Sequence, residues 1–229
     1  MKIVTWNCNL NFAKKYERIE SMDADICIIQ ECDRVKQDYF PNRTFLWTGR
    51  IDNKGLGILL KNSHASIDSS HNPDLVYFLP VKSDDSKILG LWAYNQRAKK
   101  FGDSVSGKTI QAIEYYKRWL SDADAPCVFG GDFNNSLIWD GPNKGNNFFD
   151  ISTQLESLGF VSAYHQKTNE GFGSEDAATS FQTKAKSKKY HIDYLYLRSL
   201  KVNLGGVGNY EDWIKLSDHV PIVVECVNS

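Results

Sequence analysis

The sequence predicts an α/β fold built as a sandwich, in which two mixed β-sheets pack face to face with helices on the outside. About ten apolar runs have the length and residue types of strands, and about three longer stretches have helical periodicity. These elements do not alternate regularly, which disfavours a doubly wound parallel sheet. With 229 residues, of which 41% are hydrophobic, the chain can bury a large core, and we expect a single domain over residues 1–229.

The strand predictions rest on apolar runs that end in polar or turn residues. Residues 25–30 are continuously apolar, which is typical of a central strand. Residues 44–48 and 56–60 form a pair, because the turn residues Asp52, Asn53 and Gly55 lie between them. The other predicted strands are 2–8, 75–81, 88–93, 126–129, 161–164, 179–183, 190–197, 202–208 and 220–227.

Three segments are predicted to be helical. Residues 12–22 place Phe12, Tyr16 and Ile19 at helical spacing. Residues 107–120 carry the clearest apolar stripe. Residues 149–158 form a helix that Gly159 ends.

Charge, cysteine content and apolar run length indicate what the protein can bind and in which compartment it works. The net charge is −1, whereas proteins that hold a long duplex by its phosphates usually carry a basic surplus, so any positive surface must be local. The five cysteines include no CxxC motif and lie mostly in apolar runs, so we expect reduced core residues. No apolar run approaches the length of a membrane span, and we expect a cytoplasmic monomer without membrane insertion.

Five short polar patches each follow or begin a strand-like run. They are residues 5–9, 29–31, 130–134, 191–194 and 217–219. Together they supply carboxylates, amides and imidazole, and no serine–histidine or cysteine–histidine pair stands out. Such groups suit a hard metal ion and attack at phosphorus, so the patches indicate a metal-dependent phosphoesterase.

Asp132 and Asn134 are two residues apart after a strand, and extended backbone turns such residues to the same side. The carboxylate could take a proton from water and the amide could donate to a phosphoryl oxygen. A simple turn at the strand end is about as good an explanation of this patch alone. Asn7 and Asn9 repeat the same spacing after the first strand, and a turn that caps the strand is again the alternative.

Two further patches supply a glutamate and a histidine. Glu31 follows a buried strand, where it could bind a hard metal or merely be solvated. His219, next to Asp218, needs a carboxylate to orient it if it is to work charged, and Asp193 is the candidate. His191 lies on the same strand face as Asp193, where it could line the cleft; for a lone histidine, a structural role is the ordinary alternative.

In this order, the five patches resemble the signature of the endonuclease/exonuclease/phosphatase superfamily. That family includes exonuclease III-type AP endonucleases, DNase I, inositol polyphosphate 5-phosphatases and neutral sphingomyelinases. The resemblance spans residues 7–219 and is most specific in residues 131–134 and 217–222. It implies a four-layered α/β sandwich of the DNase I type.

The resemblance also implies a metal site and its ion. Glu31 is similar to the principal Mg²⁺ ligand of the family, with Asn7 close by, and Mn²⁺ is a possible substitute. Asp218 is similar to a second acidic metal contact. Asn9 stands where many nuclease members carry an aspartate, which weakens the case for a second metal ion.

Further roles follow from the same resemblance. Asp132 is similar to the residue that aligns or deprotonates the attacking water, and Asn134 to a contact of the phosphate and the transition state. His219, held by Asp193, is similar to the group that binds the scissile phosphate.

One patch departs from the family pattern. AP endonucleases carry a tyrosine with an asparagine three residues later, and here the segment contains Trp92, Tyr94 and Asn95. Matching Asn95 puts Trp92 at the tyrosine position, whereas matching Tyr94 loses the asparagine spacing. We expect at least one of the three to contact substrate; burial of both aromatic residues in the core is the alternative.

The sequence leaves three functions open. A nuclease or phosphodiesterase acting on DNA or RNA is the first, with the basic loop 97–107 as the preferred substrate loop. Hydrolysis of a small phosphoester, such as a phosphoinositide or nucleotide, is the second. An inactive phosphate-binding module is the third, although a pure binder has no need of a water-activating carboxylate.

Overall fold

Sixteen strands and ten short or medium helices make up the described part of the chain. The computed structural model describes residues 1–61, 64–94, 99–101, 104–106, 108–122, 125–142 and 144–228, without the side chains of 99–101 and 104–106. The strands are β1 (Lys2–Asn7), β2 (Ile26–Cys32), β3 (Arg43–Ile51), β4 (Lys54–Lys61), β5 (Ala65–Ile67), β6 (Phe78–Ser83), β7 (Lys87–Trp92), β8 (Lys99–Phe101), β9 (Ser104–Ser106), β10 (Cys127–Asp132), β11 (Val161–Ser162), β12 (Ser180–Phe181), β13 (Lys189–Tyr190), β14 (Asp193–Arg198), β15 (Leu200–Val207) and β16 (Ile222–Asn228).

The helices are of two kinds. The α-helices are α1 (Tyr16–Glu20), α2 (Lys108–Ser121), α3 (Phe148–Ser157), α4 (Ala163–Thr168) and α5 (Tyr210–Trp213). The 3₁₀ helices are Phe12–Lys15, Gln37–Tyr39, Pro73–Leu75, Leu137–Trp139 and Gln182–Lys184. Among the described residues, none of these helices is long and apolar enough to cross a membrane.

Two six-stranded mixed sheets form the centre of the fold. The first sheet has the order β15-β16-β1-β2-β4-β3, and the second has the order β11-β14-β10-β7-β6-β5. In the first, β1 runs parallel to β2 and antiparallel to β16. In the second, β10 runs parallel to β7 and antiparallel to β14. The predicted sandwich of two mixed sheets is therefore confirmed.

Aliphatic side chains fill the space between the two sheets. Ile28 and Ile58 from the first sheet pack with Ile88, Val128 and Leu195 from the second, and all five are buried. Burial of each such side chain stabilises the fold by about 1.5–3 kcal/mol. This inner core holds the two sheets against each other.

Each sheet is covered on its outer face by a separate hydrophobic cluster. On the second sheet, α2 and α3 contribute Ile113, Tyr116 and Leu155, which pack with Phe129 of β10. The outer face of the first sheet packs Trp6 and Val4 against other segments, including Phe12, Ile19 of α1 and Trp213 of α5. The result is the four-layered arrangement that the family resemblance implied.

Some predicted elements have different limits. The helix predicted at 12–22 divides into a 3₁₀ turn and the short α1. The strand predicted at 161–164 ends at Ser162, where α4 begins, and the Ser162 hydroxyl lies 2.8 Å from His165 Nδ1. Apolar periodicity does not reveal such a contact between side chains one helical turn apart. Strands β5, β8 and β9 were not predicted, because each is only three residues long.

Strand direction brings the polar patches to one edge of the sandwich. Asn7 at the end of β1 is in register with Gln30 of the parallel strand β2. Asp132 at the end of β10 is in register with Asp193, at the start of the antiparallel strand β14. Parallel strands end where their antiparallel neighbours begin, so residues far apart in sequence meet at this edge.

Candidate active site

A cleft of about 560 Å³ opens at this edge of the two sheets. Its polar lining includes Asn7, Glu31, Asp132, Asn134, Asp218 and His219. Residues from all five predicted patches thus line one cleft. Asp193 lies behind the lining, where it contacts His219. The proposed phosphoesterase chemistry requires these residues, which are distant in sequence, to meet in this way.

Asp132 lies at the floor of the cleft and is 1% exposed. Its Oδ2 accepts hydrogen bonds from Asn7 Nδ2 at 2.9 Å and from Asn134 Nδ2 at 3.0 Å. Its Oδ1 accepts from the backbone N–H of Asn134 at 2.8 Å. The predicted turn at this patch is therefore real, and the same turn holds the carboxylate in a fixed orientation.

The environment of Asp132 raises its pKa to about 7. Burial is the main cause, because it penalises the charged form, and the neighbouring Asp193 carboxylate adds to it. His219 and the hydrogen bonds from Asn7 and Asn134 act in the opposite direction. A carboxyl group with this pKa can exchange a proton near neutral pH.

Backbone strain at the end of β10 supports this placement. Gly131 has φ 145°, and a Cβ added there would lie 1.9 Å from the carbonyl oxygen of Leu91. Only glycine fits this close approach of β10 to β7. Asn134 adopts the left-handed region with φ 48°, which asparagine tolerates better than most residues.

His219 is oriented by Asp193, as predicted. Its Nδ1–H donates to Asp193 Oδ2 at 2.9 Å, and its Nε2 lies 3.3 Å from the Ser180 hydroxyl. Burial alone would lower the pKa of His219, but the charge and hydrogen bond of Asp193 outweigh it and raise the pKa to about 10. The cleft therefore contains an imidazolium at neutral pH.

Three residues to which the sequence analysis assigned no role position this pair; two of them, Trp6 and Ser217, lie within predicted patches. Ser217 Oγ donates to the backbone oxygen of Asn7 at 2.7 Å and accepts from the N–H of His219 at 3.0 Å. Trp6 Nε1 donates to the carbonyl of His219 at 3.0 Å. Thr179 Oγ1 accepts from the backbone N–H of Asp193 at 3.1 Å. The patches mark Trp6 and Ser217, but only the tertiary structure reveals what these two residues and Thr179 contact.

Asn7 bridges two carboxylates through its amide nitrogen. Besides the bond to Asp132, Nδ2 lies 3.3 Å from Glu31 Oε1. Its Oδ1 accepts from the backbone N–H of Asn9 at 3.0 Å, which fixes the orientation of the amide. In this geometry Asn7 is a donor to Glu31 and Asp132, whereas a metal ligand would present its oxygen.

The remaining candidate ligands are carboxylates on the cleft wall. Glu31 lies in the left-handed region with φ 53°, and its Oε2 is 3.1 Å from the Lys54 ammonium. Asp218 Oδ1 accepts from Asn9 Nδ2 at 2.9 Å. Oxygen donors of this kind fit Mg²⁺, which binds proteins through one or two carboxylates and keeps much of its water.

Another group of donor atoms, at the floor of the cleft, is close enough to hold a metal ion. Ligand atoms of Asp132, Asp193 and His219 all lie within 4.8 Å of one another. A metal ligand must be a neutral imidazole, whereas His219 carries a raised pKa and already donates to Asp193. The chemistry of the donors therefore favours Glu31 and Asp218 over this buried group.

Two aromatic pairs line the cleft. Trp92 is buried, is in register with Asp132, and lies 4.9 Å from the half-exposed Tyr94. On the β14 side, Trp139 packs 5.1 Å from Tyr190. Trp92 and Tyr94 both line the cleft, and contact of either residue with substrate stays a prediction. The third candidate, Asn95, lies outside the described residues, as do residues 97, 98, 102, 103 and 107 of the predicted substrate loop 97–107 and the side chains of the rest of that loop.

The expectation that His191 lines the cleft is wrong. Its Nδ1 donates to the carbonyl of Ala177 at 2.7 Å, and its ring lies 4.7 Å from Tyr164. Burial lowers the pKa of His191, which favours the neutral ring. It belongs to a buried aromatic group that holds the segment after α4 in place. His191 therefore has a structural role, which was the alternative for this histidine.

Lys54 contacts the cleft residue Glu31, a position that the sequence did not predict. The turn residues around it predicted the β3–β4 hairpin, and a lysine in such a turn is usually solvated. Its contact with Glu31 depends on the pairing of β2 with β4, which the local sequence does not reveal.

Comparisons with known proteins agree with this geometry. None of the curated proteins compared with the chain matches it by sequence. Among solved structures, it is similar to an AP endonuclease from Archaeoglobus fulgidus, with 16% identity, TM-score 0.72, and coverage of 100% of this chain and 99% of that one. It is also similar to the 3′ phosphatase NExo from Neisseria bound to a product DNA hairpin, with 18% identity, TM-score 0.69, and coverage of 98% of both chains.

A third similar structure is the AP endonuclease LMAP from Leishmania major, with 13% identity, TM-score 0.67, and coverage of 100% of this chain and 87% of that one. At these identities the likeness establishes the fold. The family model described as "Endonuclease/Exonuclease/phosphatase family" matches residues 4–219, which include every described polar residue of the cleft. The chain therefore belongs to the endonuclease/exonuclease/phosphatase family and is a hydrolase of phosphoester bonds.

Proposed function

We propose that this chain is a Mg²⁺-dependent nuclease, with Mn²⁺ as a substitute ion, that hydrolyses phosphodiester bonds of DNA or RNA. One observation supports the proposal most: a buried carboxylate, held by two amide donors, faces the same cleft as an imidazolium and two wall carboxylates. This arrangement combines a proton acceptor, a phosphate-binding cation and hard-metal ligands within one space.

Glu31 and Asp218 would hold the metal ion. When bound there, the ion supplies neutralisation of the phosphate oxygens and makes the phosphorus centre easier to attack. Asn7 would act beside the ion rather than on it, because its amide nitrogen faces Glu31 and Asp132. Its role is to keep the two carboxylates at a fixed separation.

Asp132 would orient the attacking water and accept its proton. Its pKa of about 7 lies near the working pH, where a general base is most effective. Asn7 and Asn134 fix the direction of the carboxylate, so the water is held in one place. Asn134 also presents an amide donor at the cleft, where it can contact a phosphoryl oxygen.

His219 would bind the scissile phosphate through its Nε2–H. Because the Asp193 carboxylate keeps the ring protonated, a positive charge faces the oxygens as negative charge develops. Ser180 lies 3.3 Å from Nε2 and can hold the ring until substrate arrives.

Aromatic side chains on the cleft walls support nucleic acid as substrate. Tyr94 is 49% exposed and Trp139 is 37% exposed, and both line the cleft that contains Asp132. Exposed rings of this kind can stack on bases beside the scissile phosphate. The similarity to a 3′ phosphatase bound to a DNA hairpin points the same way.

A small phosphoester, such as a nucleotide or phosphoinositide headgroup, is the second candidate. The cleft volume of about 560 Å³ falls within the range of small-molecule sites. The net charge of −1 also provides little general attraction for a polyanion.

We further propose that the protein is a cytoplasmic monomer. All five cysteines are buried and free of disulfide bonds, which suits a reducing compartment.

A substrate panel tests the proposed function. The protein is incubated with Mg²⁺ or Mn²⁺ and single-stranded, duplex and abasic DNA, RNA, and a chromogenic bis-phosphodiester. Cleavage of nucleic acid that stops with EDTA and in Asp132→Asn supports the nuclease. Turnover of only a small phosphoester favours the second candidate, and tight binding without turnover would leave a phosphate-binding module.

A further inference from the structure

Lys54 places an ammonium group against the wall of the cleft. It begins β4, and its Nζ lies 3.1 Å from Glu31 Oε2. The same nitrogen lies 4.9 Å from the ring centre of Trp92 and 5.4 Å from that of Tyr94. The side chains of Lys54 and Glu31 are only 30% and 20% exposed, so the pair is largely shielded from water.

Glu31 is also the carboxylate that the proposed function assigns to the metal ion. Its two oxygens have different partners: Oε1 faces the Asn7 amide at 3.3 Å and Oε2 faces the Lys54 ammonium at 3.1 Å. A divalent ion on this carboxylate would lie within a few ångströms of the ammonium. Two cations so close in a shielded site repel each other strongly.

The aromatic rings give the ammonium a second place to lie. The faces of Trp92 and Tyr94 attract a cation without using the carboxylate. Lys54 can therefore leave Glu31 and remain beside Trp92 and Tyr94, which line the cleft.

We propose that Lys54 is an internal counter-ion of Glu31 that competes with the divalent metal ion for this carboxylate and thereby sets the metal affinity of the free protein. The inference rests on the proposed function, because it assumes that Glu31 is a metal ligand. In the metal-free protein, Lys54 neutralises Glu31. In the metal-bound protein, it lies against the aromatic rings.

The test measures Mn²⁺ binding to the free protein, without nucleic acid, by calorimetry or electron paramagnetic resonance. Lys54→Met should bind Mn²⁺ about fivefold or more tightly than the wild type, because the competing cation is gone. The same variant should melt at a lower temperature than the wild type in EDTA, because Glu31 loses its partner. A role in packing alone would not produce these two opposite changes.

Three further variants make the result specific. Lys54→Arg keeps the charge, so its Mn²⁺ affinity should be closer to that of the wild type than to that of Lys54→Met. Lys54→Gln replaces Lys54→Met if the latter does not fold. Lys108→Met is the matched control, because Lys108 Nζ also lies near the Tyr94 ring, at 5.8 Å, and donates to the Tyr94 carbonyl. Its Mn²⁺ affinity should equal that of the wild type.

The outcomes separate the two proposals. Unchanged or weaker Mn²⁺ binding in Lys54→Met and Lys54→Gln, with normal binding in the wild type, overturns the role of Lys54 and leaves the metal site standing. A wild-type protein that binds no Mn²⁺ overturns the proposed metal dependence, and the role of Lys54 falls with it.

Discussion

The chemistry of the cleft depends on how single side chains are held. Asp132 and His219 have shifted pKa values for different reasons: burial dominates for the carboxyl group, and a partner carboxylate outweighs burial for the imidazole. Each group is also fixed by hydrogen bonds to neighbours that come from other strands. The residue scale is therefore where catalytic roles can be tested.

Replacing Asp132 with asparagine should lower kcat by at least about 100-fold, because the variant cannot accept a proton from water. The amide keeps the size of the side chain, so the fold should be retained. Turnover with Mg²⁺ and thermal melting measure the two effects. Near-normal activity in a folded variant would remove Asp132 from its assigned role.

Stability should depend on pH through His219. Its pKa is raised from 6.5 to about 10 in the folded protein, so the stabilisation is fully present below about pH 6.5 and is lost as the pH rises through about 10. Between these two pH values, the free energy of unfolding of Asp193→Asn should fall by at least about 1 kcal/mol less than that of the wild type.

Urea unfolding in EDTA, at several pH values between these limits, measures the effect on both proteins. The wild type should lose stability more steeply than Asp193→Asn. Equal slopes would mean that Asp193 does not hold the proton on His219.

The sequence predicted most single-residue positions of the cleft but few of their contacts. The spacing of Asp132 and Asn134, and the need of His219 for Asp193, follow from local geometry and chemistry. The donor role of Asn7 depends on Asn9 holding the amide oxygen, and the position of Lys54 depends on strand pairing. Such contacts arise only when distant segments meet.

At the scale of elements, the close approach of β10 and β7 places Asp132 beside Trp92. The approach requires a glycine, since a side chain at Gly131 would overlap the Leu91 carbonyl. The long apolar strands were predictable because their burial is nearly continuous. The helix α4 was not, because its first residues continue the apolar, strand-like pattern of β11.

Gly131→Ala should destabilise the protein by about 2 kcal/mol or more, because the new methyl group meets backbone at a φ that alanine avoids. Gly206→Ala is the matched control: Gly206 lies in β15, and nothing lies within 4 Å of its added Cβ. Its effect should stay within about 0.5 kcal/mol. Urea unfolding compares the two variants. Equal midpoints would contradict the conclusion that only glycine fits at position 131.

At the scale of the whole molecule, the two sheets bring distant carboxylates and one imidazolium to a common cleft. The fold class was predictable from the number and irregular order of strands. The four layers and the roles of the patches came from the family resemblance, which the family match supports. The substrate depends on loop geometry, which residue patterns do not specify.

A metal ion that binds the folded cleft should stabilise the whole chain. At a free Mg²⁺ or Mn²⁺ concentration of 100 times its Kd, the free energy of unfolding should rise by about 2.7 kcal/mol. Thermal melting with the ion and with EDTA measures this difference. Identical melting curves over a wide range of ion concentration would contradict a metal site formed by the fold.

Anomalous diffraction from crystals soaked with Mn²⁺ and a nucleoside monophosphate tests the shared cleft most directly. We predict a Mn²⁺ peak at bonding distance from a Glu31 carboxylate oxygen, with the phosphate between this ion and His219 Nε2, above Asp132. A Mn²⁺ ion or a phosphate bound on separate surfaces, with none in the cleft, would contradict the account.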